Sequence, residues 1–205
     1  MTAARLQGFS DSVFAFVITF LFLDVRLPLG VEPSLASLWG ETPRLGVFVL
    51  TFWIVGTYWV AHHMILTFAK EVDRRLLYMN LLFLLTVVLV PLPTKMLAEH
   101  LMNQAAIGVY GAALSMVNLV GTAIWLRVTA GANTGEARRA RRNIALIHAA
   151  PVIVYAVGLA VAAIAPRLAL ALYVCVPAFF SLPNPWLERH TQQAFSTLER
   201  PRQND

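Results

Sequence analysis

Six long apolar stretches, separated by short polar segments, account for most of the chain. An α-helix needs about 20 apolar residues to cross a hydrocarbon core of about 30 Å. The pattern therefore predicts an all-α membrane protein with six transmembrane helices. Their approximate limits are residues 6–27, 45–68, 76–97, 105–128, 144–165 and 168–182.

The ends of the chain differ from this pattern. The first stretch lacks the basic region and the small-residue cleavage site of a signal peptide, so we expect it to remain as the first helix. The sixth stretch is the shortest and ends at Pro183-Asn184-Pro185. Residues 188–205 are polar, and we expect them to form a poorly ordered cytoplasmic tail behind a transmembrane domain of residues 1–187.

Composition supports the membrane assignment. Of the 205 residues, 58% are hydrophobic and only 13% are charged, whereas about 25% are charged in a typical soluble domain. The mean hydropathy is +0.65. The net charge of +5 comes from basic residues in the polar segments. Since they form no basic face and no nucleic-acid motif, nucleic acid is excluded as a partner.

Lysine and arginine fall mainly on one side of the predicted spans. Twelve of the 16 lie on the side that carries both termini, and the positive-inside rule makes that side cytoplasmic. Four arginines, Arg138, Arg139, Arg141 and Arg142, precede the fifth span. They are either determinants of this topology or a binding patch for anionic lipids.

No residue pattern of an enzyme is present. Asp11 and Asp24 are thirteen residues apart, which is about 20 Å along one helix, too far for an acid–base pair. His62 and His63 are adjacent, so on a helix their side chains diverge by about 100° and do not share a metal ion. Cys175 is the only cysteine. We therefore predict a protein that is not an enzyme and has no cofactor and no resident metal ion.

Polar side chains of three consecutive predicted helices fall at one depth near the cytoplasmic side. Ser10 and Asp11 lie early in the first helix, His62 and His63 late in the second, and Asn80 early in the third. A shared hydrogen-bond network lowers the cost of placing such groups in a membrane. The network is either a clamp that fixes the first helix or, in addition, a coupling of that helix to gating or protonation.

One face of the first helix carries no charge from Ser12 to Leu27. At about 100° per residue, a stripe about 100° wide is centred near Phe16, and Asp11 lies nearly opposite. Such a stripe faces lipid or the protein core, or it lines a symmetry axis, where hydrophobic constrictions gate by dewetting. Besides Phe16, the stripe contains Ser12, Thr19, Phe20, Leu23 and Leu27.

Three motifs resemble the transmembrane protein 175 family of lysosomal and endosomal potassium channels, which has single-repeat prokaryotic members. Together they span residues 5–94. They are Arg5-x3-Phe9-Ser10-Asp11 before the apolar run, Thr51-Phe52-x-Ile54-x-Gly56-x2-Trp59-x2-His62-His63, and Asn80-Leu81 followed by Val90-Pro91-Leu92-Pro93-Thr94.

The resemblance implies a homotetramer of six-helix subunits in a prokaryotic cell membrane, with the first helix lining a central pore. It implies passive, potassium-selective or potassium-preferring conduction without the Thr-Val-Gly-Tyr-Gly filter, with potassium ions and membrane lipids as partners. By position, the main constriction falls at Phe16, further pore layers at Phe20 and Leu23, and the threonine linked to selectivity at Thr19. The bracing network comprises Arg5, Phe9, Ser10, Asp11, His62, His63 and Asn80.

Phe16 departs from the family, which usually has isoleucine or leucine at the constriction. Four phenylalanines at one level would close an axis more fully. Two other functions are considered. A carrier for a small molecule would need repeats, broken helices and a polar site at mid-membrane, where this chain has few polar groups. The second alternative is a structural membrane protein that conducts no ions.

Overall fold

The structure, a computed structural model, describes residues 2–23, 32, 34–69, 71–131, 134–181 and 185–199. These residues form helices and connecting turns, with no strand in the described ranges. In chain order the helices are α1 (Ala3–Leu23), α2 (Leu35–Gly40), α3 (Thr42–Thr67), α4 (Arg74–Leu89), α5 (Pro91–Glu99), α6 (Gln104–Val128), α7 (Gly135–Ala162), α8 (Pro166–Ser181) and α9 (Pro185–Glu199).

Five helical segments are long and apolar enough to cross a membrane. They are Ala3–Leu23, Thr42–Thr67, Arg74–Glu99, Gln104–Val128 and Gly135–Ala162. Helix α8 is apolar but shorter. The prediction of an all-α protein with several membrane-length helices is confirmed. The sixth crossing and the cytoplasmic position of both termini stay predictions.

The third long segment consists of α4 and α5, which meet at a proline. Pro91 has no backbone N–H, so it cannot donate to the carbonyl one turn earlier. Val90 remains helical, and its N–H donates to the carbonyl of Val87 at 3.1 Å. Thr94 then resumes the helical pattern with a 3.2 Å bond to the carbonyl of Val90. The segment therefore continues as one span.

Polar side chains define where three helices begin. Asp73, Asn103 and Thr134 each accept a hydrogen bond from the backbone N–H three residues later, at 2.8 to 3.1 Å. These are N-caps, which satisfy backbone donors that have no partner within the helix. Asp73 also forms an ion pair with Arg127 at the end of α6. The backbone bond and the neighbouring arginine lower the pKa of the Asp73 carboxyl.

The long helices pack around two centres. Helix α1 packs on α3, α4 and α5, and α6 packs on α7, which in turn packs on α8. At the second centre the ring of Tyr173 fills the space beside two glycines. A Cβ atom would lie 2.2 Å from the Tyr173 hydroxyl at Gly111 and 2.3 Å from its ring at Gly158. Both positions thus require glycine for this close approach.

The polar C-terminal segment is helical, which corrects the expectation of a poorly ordered tail. Helix α9 extends to Glu199 and packs on α7. Ala194 is buried, and the ring of Phe195 lies 5.1 Å from that of Phe68 and 6.1 Å from that of Trp125. A few apolar side chains on one face are enough to attach an otherwise polar helix to the bundle. Residues 200–205 lie outside the described residues.

Candidate pore-lining helix and its anchoring network

Helix α1 has one buried face. Its buried residues recur at intervals of three or four, which is the spacing of one face of an α-helix. This face packs against α3, α4 and α5, and it fixes how α1 is rotated in the bundle. The buried residues are Leu6, Ser10, Phe14, Val17 and Leu21.

Three buried polar side chains join α1, α3 and α4 in one hydrogen-bond chain. His62 Nε2 lies 2.8 Å from Asn80 Oδ1, and Asn80 Nδ2 donates to Ser10 Oγ at 3.1 Å. Ser10 Oγ donates to the carbonyl of Leu6 at 2.9 Å. Ser10 and Asn80 have no exposed surface, and His62 is 2% exposed. With His62 donating, each member of the chain has a partner, as burial in an apolar bundle requires.

Aromatic rings cover this chain of hydrogen bonds. The imidazole of His62 stacks on Phe83 with 4.6 Å between ring centroids and 8° between planes. Phe14 lies 5.8 Å from His62 and 6.1 Å from Phe83. The rings exclude water and lower the local dielectric, which strengthens the hydrogen bonds they enclose.

A second pair of contacts joins α1 to α3 at the surface. Gln7 Nε2 donates to His63 Nδ1 at 2.8 Å, and Trp59 Nε1 donates to Asp11 Oδ1 at 2.8 Å. The partners are four residues apart on each helix, so the two bonds lie about one turn apart between antiparallel helices. Asp11 therefore braces α1 through Trp59. Its position opposite Phe16 agrees with the helical-wheel geometry.

Four side chains make these two surface contacts, and the sequence pattern points to only two of them, Asp11 and His63. Gln7 lies outside the predicted network, and Trp59 belongs only to a family motif. The available signal was the i, i+4 spacing of Gln7 with Asp11 and of Trp59 with His63. The two adjacent histidines serve different layers, because consecutive side chains diverge by about 100° on a helix. His62 is buried, whereas His63 is exposed.

Two residues assigned to the network lie elsewhere. Phe9 is 48% exposed. Arg5 is exposed, and its side chain makes no hydrogen bond or ion pair with the residues that the structure describes. By helical phase, both lie within about 20° of Phe16. A bracing role for these two residues stays a prediction.

The uncharged stripe of α1 is exposed along its length. Phe16 is 62% exposed, Phe20 43% and Leu23 58%, and the rings of Phe16 and Phe20 stack with centroids 5.8 Å apart. Between them, Thr19 Oγ1 donates to the carbonyl of Ala15 at 2.8 Å. This bond uses the hydroxyl proton and leaves oxygen lone pairs available at the surface. A residue further along the stripe, Leu27, lies outside the described residues.

The described residues contain no cluster of three His, Cys, Asp or Glu side chains that could hold a metal ion. The site therefore consists of an apolar surface with one or two hydroxyl groups, on a helix whose opposite face is fixed by hydrogen bonds. Such a surface can contact lipid, a second subunit or hydrated ions, and it offers no group for bond-breaking chemistry.

Comparison with known proteins identifies this arrangement. Residues 5–91 match the sequence profile of a family described as the endosomal/lysosomal potassium channel TMEM175. The resemblance to the TMEM175 family is confirmed. The matched region contains α1, α3 and α4, and with them every hydrogen bond of the anchoring network. The matched family and a curated relative are both described as potassium channels, which are not enzymes, so the prediction that the chain is not an enzyme is also confirmed.

Prokaryotic relatives extend the match. The chain is 38% identical over 135 residues to a protein named potassium channel from Streptomyces collinus, an alignment that covers 62% of this chain and 65% of that protein. The chain thus spans slightly less than two thirds of that relative. It is 27% identical over 193 residues to a protein named potassium channel from a Chryseobacterium species, covering 94% of this chain and all of that protein.

A solved structure supports the fold of the whole bundle. The crystal structure of a lysosomal potassium-selective channel TMEM175 homologue from Chamaesiphon minutus superimposes with a TM-score of 0.76 at 27% identity. The superposition covers 88% of this chain and 96% of that chain. Since the family profile ends at residue 91, this coverage means that the likeness extends well into the C-terminal half of the chain. The chain is a multi-pass membrane protein with the TMEM175 channel fold.

Proposed function

We propose that this protein is a potassium channel of a prokaryotic cell membrane, in which four copies assemble with α1 around a central pore. The proposal rests on the names of the relatives and on one observation in this chain. That observation is the exposed, uncharged stripe of α1, which lies opposite the face that hydrogen bonds fix in the bundle.

The rotation of α1 supports a pore-lining role. The buried hydrogen bonds that link Ser10, Asn80 and His62 fix the orientation of α1 in the bundle. The bond between Asp11 and Trp59 agrees with the same orientation. In that orientation Phe16, with 62% exposure, points away from the rest of its own subunit. A helix held this firmly places its free face reproducibly, which a symmetric constriction requires.

The chemistry of the stripe suits a partly hydrated cation. Thr19 would supply the one ring of hydroxyl oxygens between the aromatic layers, and its proton is already donated to Ala15. Phe16 and Phe20 would form constrictions that control whether water fills the pore. Arg5 would lie at the mouth, where water and salt screen its charge.

Phe16→Ala tests the constriction. We expect increased potassium flux into liposomes reconstituted with the full chain, because four smaller side chains open the axis. Phe22→Ala is the matched control, since Phe22 is 73% exposed on the same helix but lies about 120° from Phe16. Equal flux in the wild type and both variants would remove Phe16 from the constriction.

Flux into liposomes under opposed potassium and sodium gradients tests which ion the protein conducts. The mass of the detergent-solubilised protein tests whether it is a tetramer. We expect potassium-driven flux and four copies per particle. A monomer, or saturable transport that depends on an organic substrate without ion flux, would overturn the proposal. The second result would favour a carrier for a small molecule.

A further inference from the structure

An apolar groove runs between α7 and α8. Its volume is about 430 Å³, and every side chain that lines it is apolar apart from the thiol of Cys175. The groove is open on one side, where Leu146 is 62% exposed and Phe179 is 46% exposed. Leu146 and Val154 are eight residues apart on α7, so the groove extends about 12 Å along that helix.

Each of the two helices carries a proline at the groove, Pro151 in α7 and Pro177 in α8. A proline inside a helix removes one backbone hydrogen bond and prevents the regular packing of the preceding turn. Both helices continue through their prolines, and Pro151 itself lines the groove.

Two arginines lie beyond one end of the groove, on the same side of α7. With Leu146 at 0°, the groove residues Ala150 and Val154 fall at about 40° and 80°, and Arg139 and Arg142 fall at about 20° and −40°. Along the axis they precede Leu146 by about 10 Å and 6 Å. Both are exposed.

Neither arginine has an acidic partner in the part of the chain that the structure describes. Within the described residues, the ion pairs involve Arg44 with Glu41 and Arg127 with Asp73. The guanidinium groups of Arg139 and Arg142 are therefore available to bind an anion. Phosphate suits them best, because its geometry matches the planar guanidinium group. Long arginine side chains also reach the level of lipid headgroups while their stems remain against apolar surface.

We propose that the groove binds one acyl chain of an anionic membrane phospholipid whose headgroup is held by Arg139 and Arg142. The groove begins about one helical turn beyond Arg142 and about two turns beyond Arg139, which matches the order of phosphate and acyl chain in such a lipid. The inference does not depend on ion conduction, because α1 packs on α3, α4 and α5 rather than on α7 or α8.

A second copy of the chain fits this groove less well. A copy related by a two-fold axis along the membrane normal would pack the same groove against itself and bring equivalent arginines together, and like charges repel. An anionic lipid instead neutralises them.

The test measures lipid retention by the full-length protein in detergent. Native mass spectrometry counts the phosphatidylglycerol and phosphatidylcholine molecules that remain bound during titration with each lipid. We expect a preference for phosphatidylglycerol that falls about fivefold with each of Arg139→Gln and Arg142→Gln. Arg138→Gln is the matched control, because it removes the same charge from the adjacent residue, about 80° from Leu146. We expect it to leave the preference unchanged.

Two further measurements separate the groove from diffuse charge. Ala150→Phe fills the groove without changing any charge, and we expect it to reduce retention of both lipids. The unique Cys175, which is exposed, should react more slowly with a small thiol reagent when phosphatidylglycerol is present than when phosphatidylcholine is present.

Three results would overturn the proposal. An equal loss of preference in Arg138→Gln would show a diffuse electrostatic effect. Undiminished lipid retention in Ala150→Phe would place the acyl chain elsewhere. A change in the number of protein copies per particle in Ala150→Phe, with the lipid count unchanged, would show that the groove is a protein interface.

Discussion

The two packing centres of this molecule hold helices together by different means. Around α1, α3 and α4, buried hydrogen bonds link Ser10, Asn80 and His62. Around α6, α7 and α8, Gly111 and Gly158 receive the ring of Tyr173. In a membrane, where lipid tails are as apolar as the helices, both directional hydrogen bonds and close packing at small residues drive association.

The difference explains where the family signature lies. A hydrogen-bond chain needs particular donors and acceptors at particular positions, so it leaves a readable motif such as Arg5-x3-Phe9-Ser10-Asp11. Close packing needs only small residues opposite a large one, and many sequences satisfy that requirement. The family profile accordingly matches residues 5–91, whereas the resemblance of the second centre emerges in the superposition of the folds.

The largest effect is expected in the second centre. Gly158→Ala places a Cβ atom 2.3 Å from the ring of Tyr173, and overpacking of this kind destabilises by about 3 kcal/mol. We expect a clear fall in the free energy of unfolding in detergent. Gly46→Ala is the control, because nothing lies within 4 Å of its Cβ position, and alanine is the better helix former by about 1 kcal/mol.

Loss of Asn80 should be the next largest effect. Asn80→Ala leaves the buried groups of His62 and Ser10 without partners, at a cost of about 1–3 kcal/mol. Thermal unfolding of Asn80→Ala, Ser10→Ala and the double variant gives the coupling between these side chains. We expect a coupling of about 1 kcal/mol. Additive losses would contradict a shared network.

The surface brace should have a smaller effect on stability. Trp59→Phe removes the donor to Asp11 and should cost about 1 kcal/mol. Asp11→Ala should lower stability and tetramer content while leaving the ratio of potassium to sodium flux unchanged. Wild-type yield and tetramer content in Asp11→Ala, or an altered flux ratio, would argue against a bracing role.

The smallest effect concerns the ion pair of Asp73 with Arg127. The backbone N–H of Leu76 and, after it, Arg127 lower the pKa of the Asp73 carboxyl, so the ionised carboxylate contributes stability at neutral pH. This contribution is lost as pH falls through the folded-state pKa. Asp73→Asn retains an N-cap but loses the pair. We expect a Tm lower by about 1 °C at pH 7. The difference should narrow below about pH 4, and a constant difference would exclude the carboxylate as its source.

Sequence alone located most of the candidate site because the relevant signals are local. Hydropathy revealed the apolar segments, and the helical repeat placed Phe16, Thr19, Phe20 and Leu23 on one face, opposite Asp11. All four residues are exposed on α1, so they share one face, and the structure decides that this face is not part of the core of the subunit. Their role in a pore concerns other subunits and stays a proposal.

The sequence by itself determined properties of single helices and of short motifs. These are the membrane class, the long apolar helices, the resemblance to the TMEM175 family and the uncharged face of α1. Tertiary structure decided which helices meet. It paired Asp11 with Trp59 and buried His62 beside Asn80. It also attached α9 to the bundle and placed a groove between α7 and α8 near Arg139 and Arg142. These outcomes depend on helix rotation and crossing, which arise from contacts between distant residues and leave no periodic trace in the chain.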